Sequence, residues 1–535
     1  MRYIDLLESG VIDGAPSTGQ HFTISFDGAF RSRARRLLDA AMVHENCGRP
    51  RELVPFQFFA LTYLTALAHR PLHITEIYST YCGLVPYQRQ QLDLTHLKYT
   101  QLTHFLSRVA TLVDKGRLDI VELMNGIFDA HLPHASTFSL AVDSTDYETW
   151  ARIRSFWSGG ADPAPSTHDE DEASPATTRP THRTWPILRE DARLQRTKDN
   201  DARDGHRSAR NNRPSGPFVG YDLTLAVNIR HFDSAETETV PNHIVGANLT
   251  PAGTHHARAA LKIVDTVRSA GHVIADIVAD RAYNLAKPQF WTLALREYGI
   301  EPVFDLTKNQ RRPKPGYKAG TILIDGTLFT QALPKSFRDL RAHNRDMSRA
   351  DHAELAQRYD ERYLRYGYKP MTTGREVRFR GPVRADRAKS PIRCPNTPFS
   401  MRGPMDLPTT NCTDSCSCRG TCTIPDTYEP NVRQRHPYGT TAWLSDYYHR
   451  NAVETANSQL RNAQPLERGY TRVFGRIKTA FLLGFTIFAH NQSCIVNHFH
   501  KTGHDVPQAY AITHRPLDRP REAPRKAGRA EPPSG

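Results

Sequence analysis

Cysteine is scarce in this chain and long apolar runs are missing. Eight cysteines in 535 residues cannot staple a fold of this length, which excludes a disulfide framework. Five of them crowd between Cys394 and Cys422, so reduced thiols, with a metal, are the expectation there. The longest apolar stretch, Ala480 to Ala489, is about half of what a bilayer crossing needs, so no membrane span is expected. Met1 to Gly10 carries acidic residues and lacks the basic-then-apolar layout of a signal peptide, which predicts a cytoplasmic, nucleoid-associated protein. Acidic side chains are also in deficit, 56 against 70 Lys and Arg. A net charge of +14 and a pI near 9.4 suit a polyanionic partner, with nucleic acid the first candidate.

A length of 535 residues allows two or three cored domains. Residues 1–130 read as helical: Phe58 to His69 and Ile74 to Tyr81 are uninterrupted by Gly or Pro, and Leu97, Leu102, Phe105, Leu106, Val109 and Leu112 recur at helical spacing. Lys98, Tyr99, Gln101 and Thr103 are available to DNA if the turns near Pro71 and Gly83 frame a helix-turn-helix. Residues 131–306 carry strand signals at Thr137 to Asp143, Phe218 to Arg230, Val240 to Leu249, Val273 to Asp280 and Glu301 to Leu306. Helices are expected at Thr254 to Ala270 and Pro288 to Tyr298. Residues 158–217 turn to Pro, Ser, Thr and charge, which predicts a flexible insertion.

Asp143 and Asp280 each close an apolar run. Asp276 is a rival to Asp280, but it lies inside its run, where a carboxylate is costly. Further on, Tyr447, Arg450, Glu454 and Arg461 stand in the spacing Y-x2-R-x3-E-x6-R. On one helix these four fall within an arc of about 60°, opposite Ala452, Val453, Ala456 and Leu460. That leaves a polar face free to meet an anion. Any one of the four is ordinarily a solvated helix residue, and an Asp at a strand end is ordinarily a turn or cap residue. The combination points elsewhere.

This combination resembles the DDE insertion-sequence transposases marked by a Y-(2)-R-(3)-E-(6)-K signature, with Arg461 in place of the Lys. Arg281-Ala282-Tyr283 and Gly220-Tyr221 are similar to further stretches of that family. The resemblance implies an α/β fold: a ribonuclease-H-like mixed sheet flanked by helices, interrupted by an insertion domain and preceded by an α-helical N-terminal domain that binds element ends. Asp143, Asp280 and Glu454 would be catalytic and hold Mg²⁺ or Mn²⁺, while Tyr447, Arg450 and Arg461 would orient DNA phosphates. Double-stranded DNA, as terminal repeats and target, would be the partner of a homodimer. Two alternatives remain at this stage: a transposase-derived DNA-binding protein that does not cut, and another ribonuclease-H-like nuclease.

The stretch from Asp280 to Glu454 is too long for a simple connection, so an insertion domain is expected over 307–439, before a second core segment at 440–500. It opens on the basic run Lys308 to Pro315 and has strand signals at Thr321 to Phe329 and Arg375 to Arg380. There Arg378 and Arg380 could track a DNA backbone. Within it Cys412, Cys416, Cys418 and Cys422 form C-x3-C-x-C-x3-C, with Cys394 upstream, and offer a structural zinc site. Phe474 to Phe499 reads as a helix packed on the sheet. Residues 501–535 read as a disordered basic tail.

Overall fold

The computed structural model describes residues 16–42, 53–129, 137–152, 187–188, 194–195, 197–207, 214–229, 241–344, 346–372, 376–383, 390–412, 416–434, 436–462, 466 and 468–502. The tail beyond 502 and most of the stretch 158–196 lie outside the described residues.

Among the described residues, seven helices come first: α1 (Pro16–Arg31), α2 (Arg33–Ala41), α3 (Pro55–Leu67), α4 (Ile74–Cys82), α5 (Pro86–Gln91), α6 (Tyr99–Asp114) and α7 (Ile120–Phe128). The apolar positions expected of α6 are all buried. Lys98 and Tyr99 lie exposed at its start, where Gln101 is turned back to accept the Lys98 backbone N–H at 2.6 Å. These helices share one apolar core with a central sheet and with the late helix α16, described below. Phe58, Phe59 and Tyr63 of α3 meet Phe481 and Phe485 ring to ring, at centroid distances of 4.8 to 6.4 Å.

The sheet opens with β1 (Thr137–Glu148). A short pairing of β2 (Ile187–Leu188) with β3 (Leu194–Gln195) precedes β4 (Arg203–Arg207), β5 (Gly216–Ile229), β6 (Ile244–Pro251), helix α8 (His256–Ser269) and β7 (Val273–Ala279). Then follow α9 (Arg281–Asn284), α10 (Thr292–Glu297) and β8 (Glu301–Phe304). The strand order is β6–β5–β1–β7–β8, with β4 sharing the outer edge of β5. β5 runs antiparallel to β1 and β6, whereas β1, β7 and β8 are parallel. Val273 to Ala279 is a near-continuous apolar run because α8 and α10 pack on one face and the main core on the other.

Three sequence expectations change here. β1 does not end at Asp143 but continues to Glu148, because β5 keeps pairing with it after β7 has stopped. The helix expected over Pro288 to Tyr298 is broken at Trp291, whose φ of −149° lies outside the helical region, so only Thr292–Glu297 is α-helical. Residues 197–207 and 214–217 of the 158–217 stretch, expected to be flexible, are built into the body. β4 pairs with β5, and Asp199, 1% exposed, accepts the Tyr221 hydroxyl at 2.8 Å and the Gly475 backbone N–H at 3.1 Å. Gly220 is required by packing, since a Cβ there would collide with the Tyr147 carbonyl and the backbone of Glu148.

Between β8 and the helices that follow Gly439, the chain builds two small sheets. After α11 (Lys308–Arg311), strands β9 (Lys314–Pro315), β10 (Thr321–Ile324) and β11 (Thr327–Thr330) form the first. Asp325 and Gly326 at φ of 49° and 71° make the hairpin turn between β10 and β11. Helices α12 (Lys335–Arg338) and α13 (Arg349–Asp360) lead to β12 (Gly367–Thr372), β13 (Glu376–Arg380) and β14 (Thr421–Pro425), the second sheet. The chain closes with α14 (Thr441–Tyr448), α15 (Asn451–Asn462) and α16 (Arg476–Thr502).

Helix α16 is long and apolar enough to cross a membrane by composition alone, yet 83% of its apolar window is buried inside the protein. It serves as a core helix. Asn491 donates to the Ile244 carbonyl at 2.7 Å and accepts the Ile244 N–H at 2.8 Å. Asn125 of α7 does the same for Ala247. Two buried amides thus satisfy the backbone groups of the β6 edge that no strand covers.

Candidate active site

The register places Val142 opposite Ala279, the last pair of the parallel β1–β7 ladder. Asp143 and Asp280 each directly follow this pair, Asp143 still within β1 and paired with β5, Asp280 just past the end of β7, so the two acids lie side by side where the parallel ladder stops. Asp280 also caps α9, accepting the Ala282 backbone N–H at 2.8 Å. Its role as a cap, the ordinary one for such a residue, is therefore real and coexists with its place beside Asp143. Asp276 sits deep in the sheet, 2% exposed, with the Ser139 hydroxyl 3.4 Å away.

Glu454 arrives from the other direction. Arg461, on the same helix, bonds the Thr145 hydroxyl, so α15 lies over the face of β1 that Thr145 shares with Asp143. Val453, Ala456 and Leu460 are buried beneath it, as the apolar spacing predicts, and Glu454 remains exposed.

The single helix expected for Tyr447 to Arg461 is two helices. α14 ends at Tyr448, and i→i+3 bonds from His449, Arg450, Ala452 and Val453 to Asp446, Tyr447, His449 and Arg450 tighten the chain before α15 settles. Arg450 nonetheless joins the pieces. Its guanidinium lies 5.7 Å from the Tyr447 ring centroid and donates to Glu454 at 2.6 Å. Tyr447 stacks on Trp443 at 4.8 Å, and Trp443 is anchored to the end of β8 through the Phe304 carbonyl at 3.2 Å.

The polar face expected to lie open is largely engaged. Arg450 is 8% exposed. Arg461 donates to the Asp146 carboxylate at 2.7 Å and to the Asp146 carbonyl at 3.0 Å. Burial acts to lower Arg450, but Tyr447, Glu454, Asp143 and Asp280 outweigh it and hold the guanidinium above its ordinary value. One cation therefore senses all three acids. Burial pushes the Tyr447 phenol up to about 12, so it stays neutral at physiological pH.

No family model, curated protein or solved structure matches the chain. The site must be read from its own geometry, which includes residues the sequence did not single out. Asp222 of β5 accepts the Gly253 N–H at 2.9 Å and lies 3.6 Å from His256 at the start of α8. Hydrogen bonding to Asp222 raises His256 against the opposing effect of burial, and Asp143 and Asp280 add to the rise. Tyr283, fully buried, hydrogen-bonds Ser144 at 3.1 Å and is pushed well up by burial and by Asp143. Asp305, just past β8, pairs with Arg281 at 2.9 Å. Gly220-Tyr221 immediately precedes Asp222, which was the one available signal for it.

A second cluster lies in the inserted sheets. Cys394, Cys412, Cys416 and Cys418 bring their sulfurs within 4.8 Å of one another, with separations of 3.7 Å for 394–412, 3.5 Å for 394–416 and 3.4 Å for 412–418. A tetrahedron with metal–sulfur bonds of about 2.3 Å has edges of about 3.8 Å, so four thiolates here could hold a metal such as zinc. Cys394 replaces Cys422 in the expected set. Cys422 is fixed by β14 opposite Phe379 and turns into the main core, while the other four border a separate one. Among the described residues this is the one group of three or more ligand-bearing side chains that close together. Asp143, Asp280 and Glu454 do not close so tightly with Glu454 drawn to Arg450.

Proposed function

We propose that the chain is a DNA transposase with a ribonuclease-H-like core that cuts and joins phosphodiesters at the ends of a mobile element. The observation that carries this reading is that Asp143 and Asp280 directly follow the last pair of the parallel β1–β7 ladder, while the helix that carries Glu454 lies over the same face of β1 and Glu454 accepts the Arg450 guanidinium. The order β6–β5–β1–β7–β8, antiparallel then parallel, supports the core assignment. Residues 307–439 are then the insertion domain. The net charge of +14 supports a DNA partner.

Asp143, Asp280 and Glu454 are the residues that would hold Mg²⁺ or Mn²⁺, an all-oxygen set suited to hard cations. Glu454 accepts the Arg450 guanidinium at 2.6 Å, and Asp143 and Asp280 help hold that guanidinium above its ordinary value, so positive charge is favoured at this spot. Bound there, a divalent ion would lower the pKa of an attacking water and stabilise the departing oxygen. Water would attack phosphorus as the P–O3′ bond breaks, leaving a 5′-phosphate and a 3′-hydroxyl; that hydroxyl would give up its proton and attack a target phosphodiester, forming a new P–O3′ bond as the target's own P–O3′ bond breaks and its 3′-oxygen departs as a hydroxyl. Arg450 offsets charge among the acids and holds Glu454, while Tyr447 offers the approaching backbone a neutral phenol edge. His256, its pKa raised by Asp222, stands at the rim. Cys394, Cys412, Cys416 and Cys418 would hold zinc in a structural role that orders the insertion. The protein would act as a homodimer on paired ends in the cytoplasm.

The test is cleavage of DNA carrying the sequences that flank this coding region, with Mg²⁺ or Mn²⁺. The intact chain should cut at the ends, and Asp143→Asn, Asp280→Asn or Glu454→Gln should each lower the rate by about 10³-fold or more while end binding persists. Cutting that survives in Glu454→Gln would remove the triad from the mechanism.

A further inference from the structure

We propose that Arg461 is a positioning residue that fixes the Glu454 helix to β1 through Asp146, and that it does not contact DNA phosphate. The inference rests on the transposase reading of the same site. Arg461 follows Glu454 by seven residues, about two turns on one face of α15, so pinning it sets both the height and the rotation of Glu454. The rest of that face buries Val453, Ala456 and Leu460, with Asn457 among them. Apolar packing fixes how deep the helix lies but resists sliding along its axis only weakly, because it is not directional. The guanidinium supplies the direction.

Its Nη2 donates to the Asp146 carboxylate at 2.7 Å, to the Asp146 carbonyl at 3.0 Å and to the Thr145 hydroxyl. Those acceptors lie two and three residues beyond Asp143 on the same strand. The clamp therefore joins the segment that carries one acid to the helix that carries another. Beyond Val142, β1 has lost β7 as a neighbour, so this is the stretch of strand that needs lateral support.

Charge and burial argue against a phosphate role. The side chains of Arg461 and Asp146 are 18% and 12% exposed, so a phosphate would have to displace a carboxylate already in place. Asp146 is also approached by Arg207 of β4 at 3.8 Å, and Arg207 bonds Glu148. Two arginines meet two carboxylates, which leaves no net positive charge to draw in DNA. All three bonds leave from Nη2 at the far end of the guanidinium, and lysine would keep the charge at 461 but carry it on a compact, strongly hydrated ammonium at the end of a shorter side chain.

The experiment compares Arg461→Lys, Asp146→Asn and the double variant, at a temperature where circular dichroism shows each folded. It reads end cleavage at saturating DNA, the Mn²⁺ concentration for half-maximal cleavage, and DNA affinity against salt. The clamp predicts that each single variant cuts roughly tenfold more slowly and needs several-fold more Mn²⁺, with DNA affinity within about twofold. The double variant should be no worse than the worse single one. The idea is overturned if Arg461→Lys weakens DNA binding and lowers the salt slope by about one, while Asp146→Asn cuts normally. If the intact protein cuts no DNA, the transposase reading falls separately, and the Mn²⁺-induced rise in melting temperature decides the clamp. A smaller rise in Arg461→Lys supports it, and equal shifts, including none in either protein, overturn it.

Discussion

His243 is fully enclosed, with Nδ1 2.8 Å from the Pro241 carbonyl, and burial pushes its pKa down to about 4. The unfolded chain takes up this proton near pH 6.5, before the folded one does. Stability from the neutral ring is thus complete above about pH 6.5 and is lost as pH falls toward 4. A depression of about 2.5 units corresponds to roughly 3 kcal/mol. Melting temperature against pH should therefore fall less steeply between pH 7 and 4.5 in His243→Gln than in the parent, and parallel curves would show that the ring is not held neutral. The same scale sets what could be read from sequence at the active site. Asp143 and Asp280 were legible because each follows an apolar run. His256 and Asp222 were not, because their pairing joins a strand to the start of a helix and leaves no local pattern.

Elements obey local periodicity until a neighbour overrides it. The buried stripe of α15 was visible as Val453, Ala456 and Leu460, but the same angular reasoning carried back to Tyr447 crossed a turn that only the i→i+3 bonds reveal. β1 outruns its apolar segment because β5 continues to pair with it. The cysteines show the effect most clearly. Spacing favoured Cys422, whereas the register of β14 commits it to the core and leaves the fourth corner to Cys394. Protein purified without chelator should hold about one zinc per chain. Cys394→Ser should lose it and melt at a lower temperature, whereas Cys422→Ser should keep it. Zinc retained by Cys394→Ser and lost by Cys422→Ser would restore the linear motif.

Across the whole molecule, helices from the first 130 residues, the sheet and α16 bury one shared core, with Asn125 and Asn491 sealing its edge strand. The packing of the late helix on the sheet was legible in its apolar stretch, but the joining of the first 130 residues to the same core was not, because composition divides the chain where packing does not. Its consequence for function is rigidity beneath the three acids, which come from residues 143, 280 and 454 and meet only if the sheet and α15 are held together. The most direct test of the proposed divalent site supplies Fe²⁺ with ascorbate and peroxide, so that hydroxyl radicals cut the polypeptide around any bound iron. The account predicts backbone cuts near Asp143, Asp280 and Glu454 together, suppressed by excess Mg²⁺ and reduced at all three places in Asp280→Asn. Cuts at one of these places alone, or confined to the cysteine cluster, would contradict it.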